Sequence, residues 1–402
     1  MRLVHLALTN FRNFTSLQTK IPSGSTLLVG ANAQGKTNFL EAIYYLVGAA
    51  SPHTANDRQL IRLEAEPPIA RLVAEVARGG RTERIEIRLI LEPNANGEAR
   101  LRKHVLLNGV KKRAIDLHGR FNAVLFLPHD VQVVEGPPAD RRQQLDAAVS
   151  QADPAYARDL LEYGKVLTQR NSLLKQLQER SGNSEQLAFW DEKLCGRGAK
   201  LMSRRAEAVA ELNHLARPIH AHLTAGEEAL ELEYRPAFSP AEINTDESWA
   251  PEALKQGLRM ELNRLRSEEL ARGVTLTGPQ RDDLALTVNG LELRQYGSRG
   301  QNRTAMLAFK LAEAEWLHQR TGERPVLMLD EVLAELDPQR RADLLVHLAA
   351  APQAVLTAAD AAMFNDEFLR KSTIWKIQSG RLMGSSKRGM RQPLNRGDEG
   401  KP

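Results

Sequence analysis

Residues 30–37 read Gly-Ala-Asn-Ala-Gln-Gly-Lys-Thr and complete the pattern G-x-x-x-x-G-K-[ST] directly behind the apolar run Thr26-Leu27-Leu28-Val29. A strand, a glycine loop and a helix in that order point to an α/β fold that holds a triphosphate. Gly30 and Gly35 let the loop curl, so that the backbone N–H groups of Ala31, Asn32, Ala33 and Gln34 can turn toward phosphate oxygens. Lys36 can reach the outer phosphates, and the Thr37 hydroxyl can ligate Mg²⁺. The helix expected next, from Asn38 to Leu46, directs its positive end at the same phosphates. By average residue usage the bare pattern arises by chance in roughly one chain in a hundred of this length, and the flanking strand and helix lower that further.

With 402 residues the chain has room for two or three domains and a large buried core. Its apolar runs fall short of the roughly 18 residues that a membrane span needs. The start Met1-Arg2-Leu3-Val4-His5 lacks a signal-peptide pattern, so the chain reads as cytoplasmic. A single cysteine, Cys195, excludes an internal disulfide framework and a Cys-rich zinc module, and reads as a packing residue. The net charge of +5 and a pI near 9.3 favour a polyanionic partner without specifying one. Part of the excess sits in residues 385–402, which glycine and proline mark as a disordered basic tail.

Along the chain the texture changes twice. Residues 1–110 are β-rich, with strands expected at Leu3 to Leu8, Ser25 to Val29, Ile69 to Val76, Arg84 to Leu91 and Lys103 to Asn108, and a turn at Asn94 to Gly97. After Pro137-Pro138, helical spacing dominates at Arg141 to Val149, Ala155 to Gln178, Glu185 to Ala216 and Pro251 to Arg272. Leu173, Leu174 and Leu177 would face Leu187, Trp190 and Leu194 across an antiparallel turn at Ser181-Gly182-Asn183. Strand character returns at Leu284 to Val288, then a helix from Gln301 to Gln319 and the apolar strand Pro325 to Asp330. The expected division is an ATPase lobe of residues 1–110 and 300–384, an inserted helical lobe of 111–299, and the tail.

An apolar strand ending in Asp330-Glu331 supplies the other half of a nucleotide site. Asp330 can hold the metal, through water, and Glu331 can act as general base or polarise the attacking water. Because Lys36 and Asp330 lie near opposite ends of the chain, one lobe must be assembled from both. Ser298-Arg299-Gly300-Gln301 opens the helix ahead of this strand; Ser298 can be an N-cap or can offer its hydroxyl to a phosphate.

The order of phosphate loop, Ser-x-Gly-Gln, Asp-Glu strand, Leu336-Asp337 and the closing strand Ala354 to Thr357 resembles ABC-type ATPase heads. The resemblance narrows to the RecF family of bacterial recombination and repair ATPases, relatives of the structural-maintenance heads. It rests on ordered landmarks across almost the whole chain: Leu6 to Phe14, Gly30 to Glu41, Phe126 to Asp130, Gly136 to Arg142, Gln169 to Lys175, Trp190-Asp191, Gly278 to Asp283, Ser298 and Pro325 to Asp337. Ala33 stands where a loop glycine is usual, Gln280 where His is more frequent, Glu331 where a second Asp is common, and Arg299 where transporter ATPases have Gly.

The resemblance implies an α/β ABC-type head with ATP sandwiched between two copies. Lys36, Thr37, Asp330 and Glu331 would act in cis and Ser298 in trans. It further implies an ATP-dependent DNA clamp that dimerises on single-stranded, gapped or junction DNA and works with RecR and RecO. The clamp would promote recombinase loading in repair, replication restart and the SOS response, with slow DNA-stimulated hydrolysis as a switch. Lys111-Lys112-Arg113, Arg141-Arg142 and Arg204-Arg205 are the basic candidates for DNA contact, the first two with a bland alternative: a solvated turn for the first, ion pairs for the second. A transporter ATPase subunit and a small-molecule kinase are the competing readings; the large inserted helical region counts against the first, and the long separation of the phosphate loop from Asp330-Glu331 together with Ser298-x-Gly-Gln against the second.

Overall fold

The structure, a computed structural model, describes residues 1–93, 99–179, 184–238 and 249–387. The expected turns at Asn94 to Gly97 and Ser181 to Asn183, and residues 388–402 of the basic tail, lie outside the described residues. Residues 385–387 belong to the last strand, Arg381–Lys387. The chain divides into two compact units, one of residues 2–43, 51–110 and 326–402, the other of residue 1, 44–50 and 111–325. The first is assembled from both ends of the sequence. The second extends to 325, whereas the sequence reading ends the helical insertion at 299, so the helix that begins at Arg299 falls within it.

The first unit contains two sheets. In one, the strands Phe14–Lys20, Arg2–Phe11, Ile69–Arg78, Arg81–Pro93 and Ala99–Leu107 lie side by side and antiparallel. Their period-two patterning buries Leu6, Leu8, Leu72, Ala74, Ile85, Ile87 and Val105 on one face. On the other face Arg71 stands opposite Arg88, and both donate to Glu86 Oε1, at 2.8 and 2.7 Å. These hydrogen bonds, Arg71's above all, overcome the burial of the Glu86 carboxyl and hold its pKa down to about 2.

The second sheet of this unit carries the phosphate loop. Thr373–Gln378, Gly24–Val29, Gln353–Ala358 and Val326–Asp330 pair in parallel in that order, with Arg381–Lys387 antiparallel on the outside. Leu27, Leu28, Val326, Met328, Leu329, Val355 and Leu356 are buried, the continuous apolar pattern of strands covered on both faces. The buried Gln353 amide joins the N-terminal strand to this sheet: Oε1 accepts from Leu3 N at 2.8 Å, and Nε2 donates to Leu3 O and Pro22 O at 2.8 and 2.9 Å.

The second unit is mostly helical, with Pro138–Ala152, Pro154–Glu179, Leu187–Leu223, Pro251–Arg272 and Arg299–Thr321 as its long helices. The third runs past the expected stop at Ala216 and through Pro218, because Ala216, His220 and Leu223 continue its buried face and offset the lost backbone hydrogen bond. A small antiparallel sheet of Leu230–Arg235, Asp283–Val288 and Leu291–Glu292 completes the unit. Leu174, Leu187 and Leu194 are buried as the helix-seam reading requires, whereas Leu173, Leu177 and Trp190 are half-buried. Cys195 is buried, and burial pushes its thiol up to about 12.

Several basic motif residues turn out to be internal. Arg141 makes a bidentate pair with Asp283 at 2.8 and 2.9 Å and donates to Gly136 O; Arg142 donates to Asp282 O at 2.6 Å. Arg205 is buried on Asp146, at 2.9 Å through both nitrogens, and on Pro279 O. Arg204 pairs with Asp153. Arg141 and Arg205 are therefore removed from the DNA-contact candidates, because both guanidiniums are buried and their charge is already spent on the half-buried carboxylates of Asp283 and Asp146. Lys111 and Lys112 are exposed, in the short strand Val110–Lys112 rather than a turn, and Arg113 is exposed beside Asp116.

At the centre of the helical unit Arg170 is fully buried and bonded to Asp191 at 2.8 Å, Glu269 at 2.6 Å and the Thr275 hydroxyl at 2.7 Å. Arg266 also pairs with Asp191, and Asn171 accepts from Thr275. Arg170→Ala leaves two carboxylates without their shared cation, and urea denaturation should show a loss of about 3–5 kcal/mol; a loss below about 1 kcal/mol would contradict this role. For Glu86 the sign is that of a depressed acid: its stabilisation is complete above the unfolded carboxyl pKa and is lost as pH falls through about 2. Glu86→Gln should therefore flatten the fall in stability below the ordinary carboxylate range, measured by thermal melts across acidic pH.

Candidate functional site

Strand Gly24–Val29 ends against the loop, and helix Lys36–Gly48 begins at its lysine, so loop and helix N-terminus form one continuous cradle. Gly30 sits where a Cβ would lie 2.5 Å from Ile377 O, which leaves room for no side chain. Gly35 has φ +111°, and a Cβ there would meet the Asn13 amide at 2.6 and 2.8 Å. Ala33, at the position where a further glycine is usual, adopts φ +63°, the left-handed conformation a glycine would take with less strain. The departure from the family pattern is accommodated, with strain, and not by rerouting the loop.

The loop is braced from two sides. Asn13 Nδ2 donates to Gln34 O at 3.0 Å while Asn13 Oδ1 accepts from Asn38 Nδ2 at 2.9 Å. From the hairpin between the last two strands, Gly380 N donates to Gln34 O at 3.0 Å and Ser379 N to Gln34 Oε1 at 2.8 Å. Next to it, Arg12 makes a bidentate pair with the buried Glu41 at 2.7 Å through both nitrogens, and Ser51 donates to the same carboxylate. Ala31, Asn32 and Ala33 are exposed between these braces.

Lys36 is buried, and its Nζ donates to Gly30 O at 2.6 Å and Ala31 O at 3.0 Å and lies 2.9 Å from Glu331 Oε1. That ion pair brings together two residues 295 positions apart in sequence. Asp330 closes strand Val326–Asp330 and is buried; its Oδ1 accepts from the Thr357 hydroxyl at 2.7 Å. The same Thr357 oxygen accepts from Glu331 N at 3.0 Å. One hydroxyl thus fixes the Asp330 carboxylate and the backbone of Glu331, whose φ of +55° is left-handed. A non-glycine residue held there carries about 1–3 kcal/mol of strain, stored where the surroundings over-determine the geometry.

Thr37 is half-buried in the first turn of the helix. A hydroxyl and a buried carboxylate, each with hard oxygens, suit a small divalent cation that takes its other ligands from phosphates and water. Among the described residues no cluster of three or more His, Cys, Asp or Glu is placed to hold a metal by protein ligands alone.

Ser298 lies in the other unit, as N-cap of helix Arg299–Thr321. Its Oγ accepts from Gln301 N at 3.2 Å, and Gln301 Oε1 accepts from Ser298 N at 2.9 Å, a reciprocal capping box. His129 and Asp130 lie in the short turn Pro128–Asp130, where Asp130 Oδ2 accepts from Leu127 N at 2.8 Å.

Sequence reasoning missed the parts played by Thr357, Asn13 and the Ser379-Gly380 turn. Thr357 reads locally only as strand, and Asn13 only as part of the Phe11-Arg12-Asn13-Phe14 run, which carries no local signal that its Asn will brace a loop more than twenty residues away. Gly35→Ala should weaken binding of a fluorescent ATP analogue at least about tenfold, the scale of a backbone shift costing 1.4 kcal/mol or more. Unchanged affinity would show that the loop tolerates displacement from Asn13.

Residues 2–379 match the model of the RecF/RecN/SMC N-terminal domain. The DNA replication and repair protein RecF of Roseiflexus castenholzii is 41% identical over 396 residues, which cover 95% of this chain and 99% of that protein. The RecF protein of Heliobacterium modesticaldum is 38% identical over 96% of this chain and all of its own length. Among solved structures, one described as the recombination mediator protein RecF with ATPrS in the RecFOR pathway superposes with a TM-score of 0.84 at 31% identity, covering 95% of this chain and 97% of that one. An Smc head bound to a domain of ScpA shares the fold at a TM-score of 0.54 and 16% identity.

Proposed function

The chain belongs to the RecF/RecN/SMC N-terminal domain family, and from that premise we propose that it is an ATP-dependent DNA-binding clamp of DNA replication and repair. The observation that carries this reading is the convergence, in one unit built from both chain ends, of Lys36 on the phosphate loop with Asp330, Glu331 and Thr357 on the paired strands. Relatives of nearly the same length named for DNA replication and repair, and a similar chain solved with ATPrS, support the choice of nucleotide and of process.

In this reading the N–H groups of residues 30–37 and the helix dipole receive the triphosphate, and Lys36 exchanges its loop carbonyls and Glu331 for phosphate oxygens. Thr37 and Asp330 would hold Mg²⁺, which supplies charge neutralisation between the outer phosphates. Glu331, released from Lys36, is then available to accept a proton from, or orient, the attacking water. Ser298 of a second copy offers its hydroxyl and helix N-terminus to the γ-phosphate, so that bound ATP favours the homodimer by binding it more tightly than the separate chains. Hydrolysis removes that linkage and acts as a slow switch.

The basic balance suits a polyanion, family membership points to DNA in single-stranded, gapped or junction form as that partner, and Lys111, Lys112 and Arg113 are the exposed phosphate contacts. RecR and RecO complete the proposed assembly, which would load recombinase in gap repair, replication restart and the SOS response in the cytoplasm. No described helix is long and apolar enough to cross a membrane.

Two variants separate the roles. Lys36→Met should lose ATP binding and with it any nucleotide-driven dimer. Ser298→Arg should bind ATP as a monomer with unchanged affinity and fail to dimerise. Equilibrium nucleotide titration and sedimentation with ATP and Mg²⁺ on gapped duplex, at two salt concentrations, measure both; an ATP-bound dimer in Ser298→Arg would remove the trans role.

A further inference from the structure

Gln301 uses both ends of its side-chain amide. Its Oε1 accepts from the Ser298 N–H at 2.9 Å, and its Nε2 donates to Glu228 Oε1 at 2.9 Å. The two ends of a primary amide are chemically distinct, one accepting and one donating. Whichever group holds the nitrogen end therefore decides what faces Ser298. Reversed, the amide would set its own N–H₂ against the Ser298 N–H, and the capping box would lose half of its reciprocity. An ionised carboxylate can only accept, so Glu228 admits one orientation of Gln301 and excludes the other.

The frame around Glu228 is fixed by backbone chemistry. Helix Leu187–Leu223 ends at Thr224, and Ala225 and Gly226 turn the chain through left-handed conformations, φ +51° and +80°. Immediately after Glu228, Ala229 N donates to Asn289 Oδ1 at 2.9 Å and Asn289 N donates to Ala229 O at 3.0 Å. Asn289 and Gly290 form the turn from which the chain runs through Leu291–Glu292 and the short helix Leu293–Tyr296 to Ser298. The second Glu228 oxygen is buried without a hydrogen-bond partner and lies 3.7 Å from His220 Nε2. The turn thus fixes the backbone next to Glu228, and one oxygen of its carboxylate accepts from Gln301.

We propose that Glu228 is a positioning residue for the Ser298 motif, locking Gln301 so that the capping box presents Ser298 in a single geometry to the nucleotide of a second copy. The proposal rests on the reading of Ser298 as a ligand in trans, and extends it to a residue seventy positions upstream that no Ser-x-Gly-Gln pattern contains. Glu228 touches neither nucleotide nor Ser298; it acts through Gln301.

The test compares full-length wild type with Glu228→Ala and Glu228→Gln. Glutamine keeps an acceptor oxygen for Gln301 Nε2, and alanine does not. Hydrogen exchange by mass spectrometry, without nucleotide, on peptides covering residues 293–304 reports the box directly. Exchange at Ser298 should be faster in Glu228→Ala and return toward wild type in Glu228→Gln. In sedimentation with ATP and Mg²⁺, Glu228→Ala should bind ATP as a monomer like wild type but dimerise at least about tenfold more weakly, the scale of one lost hydrogen bond to a charged group. Glu228→Gln keeps an acceptor oxygen but can also turn its own N–H₂ toward Gln301, so it should recover only part of that loss. Unchanged exchange in Glu228→Ala, or equal acceleration in both variants, overturns the positioning role. Ser298→Arg run in parallel decides the underlying reading separately: if it dimerises with ATP, the trans role fails whatever Glu228 does to exchange.

Discussion

The nucleotide site depends on the parallel pairing of Gly24–Val29 with Gln353–Ala358, and of the latter with Val326–Asp330. The register sets Thr357 opposite Asp330 on one side and Leu28 on the other, so the hydroxyl that organises the acids is carried by the strand lying between the acids and the phosphate loop. Parallel neighbours need long crossovers, and here the crossover contains nearly the whole remaining chain. Closing so long a loop costs only logarithmically more than closing a short one, which is why a second compact unit can be housed within it. That pairing brings Lys36 and Glu331 to the same end of the sheet, where the bracing of the loop and the Thr357 hydroxyl hold them.

The helical unit is stabilised differently. Its centre holds ions instead of a purely apolar core: Arg170 among Asp191, Glu269 and Thr275, and Arg205 on Asp146 and Pro279 O. Buried ion pairs add little net stability relative to apolar packing, but removing one member is costly, so such networks penalise every alternative packing that separates the partners. The Gly278 to Asp283 segment takes part through Pro279 O, Asp282 O and Asp283, and its chemistry is therefore internal. Gln280, where the family more often has His, fits that role: Nε2 donates to Thr277 O at 2.7 Å and Oε1 accepts from the Tyr163 hydroxyl.

Local chemistry made the phosphate loop, the acid strand and most helices legible from sequence. The glycine spacing and the apolar strand ending in Asp-Glu are complete within a dozen residues, and helical periodicity located Pro251–Arg272 to the residue. The pairing of the phosphate loop with the distant Asp-Glu strand was legible because both halves carry a complete local motif, whereas the bracing roles of Asn13, Thr357 and the Ser379-Gly380 turn, which carry none, stayed hidden. The strands Phe14–Lys20 and Thr373–Gln378 were overlooked because their polar alternation resembles loop until a partner strand is supplied. Arg141 and Arg205 looked like phosphate contacts because adjacent arginines show charge in sequence but not the carboxylates that will neutralise it. Lys111 and Lys112 carry the same local signal and remain exposed.

Ser298 illustrates why a structural and a functional role for one residue need not compete. As N-cap it accepts a hydrogen bond from Gln301 N, which occupies a lone pair of its hydroxyl oxygen. The hydroxyl proton is not used by that bond, and a serine hydroxyl carries one donor besides its acceptor lone pairs. Capping therefore fixes the oxygen in space while leaving its proton to be given to a phosphate, and the helix N-terminus behind it adds a positive potential of the right sign. An uncapped serine would have the same donor but no fixed position, and an alanine would have neither. Capping and the proposed trans role are therefore compatible, because a hydroxyl offered to a second copy would have to be held in place before that copy arrives.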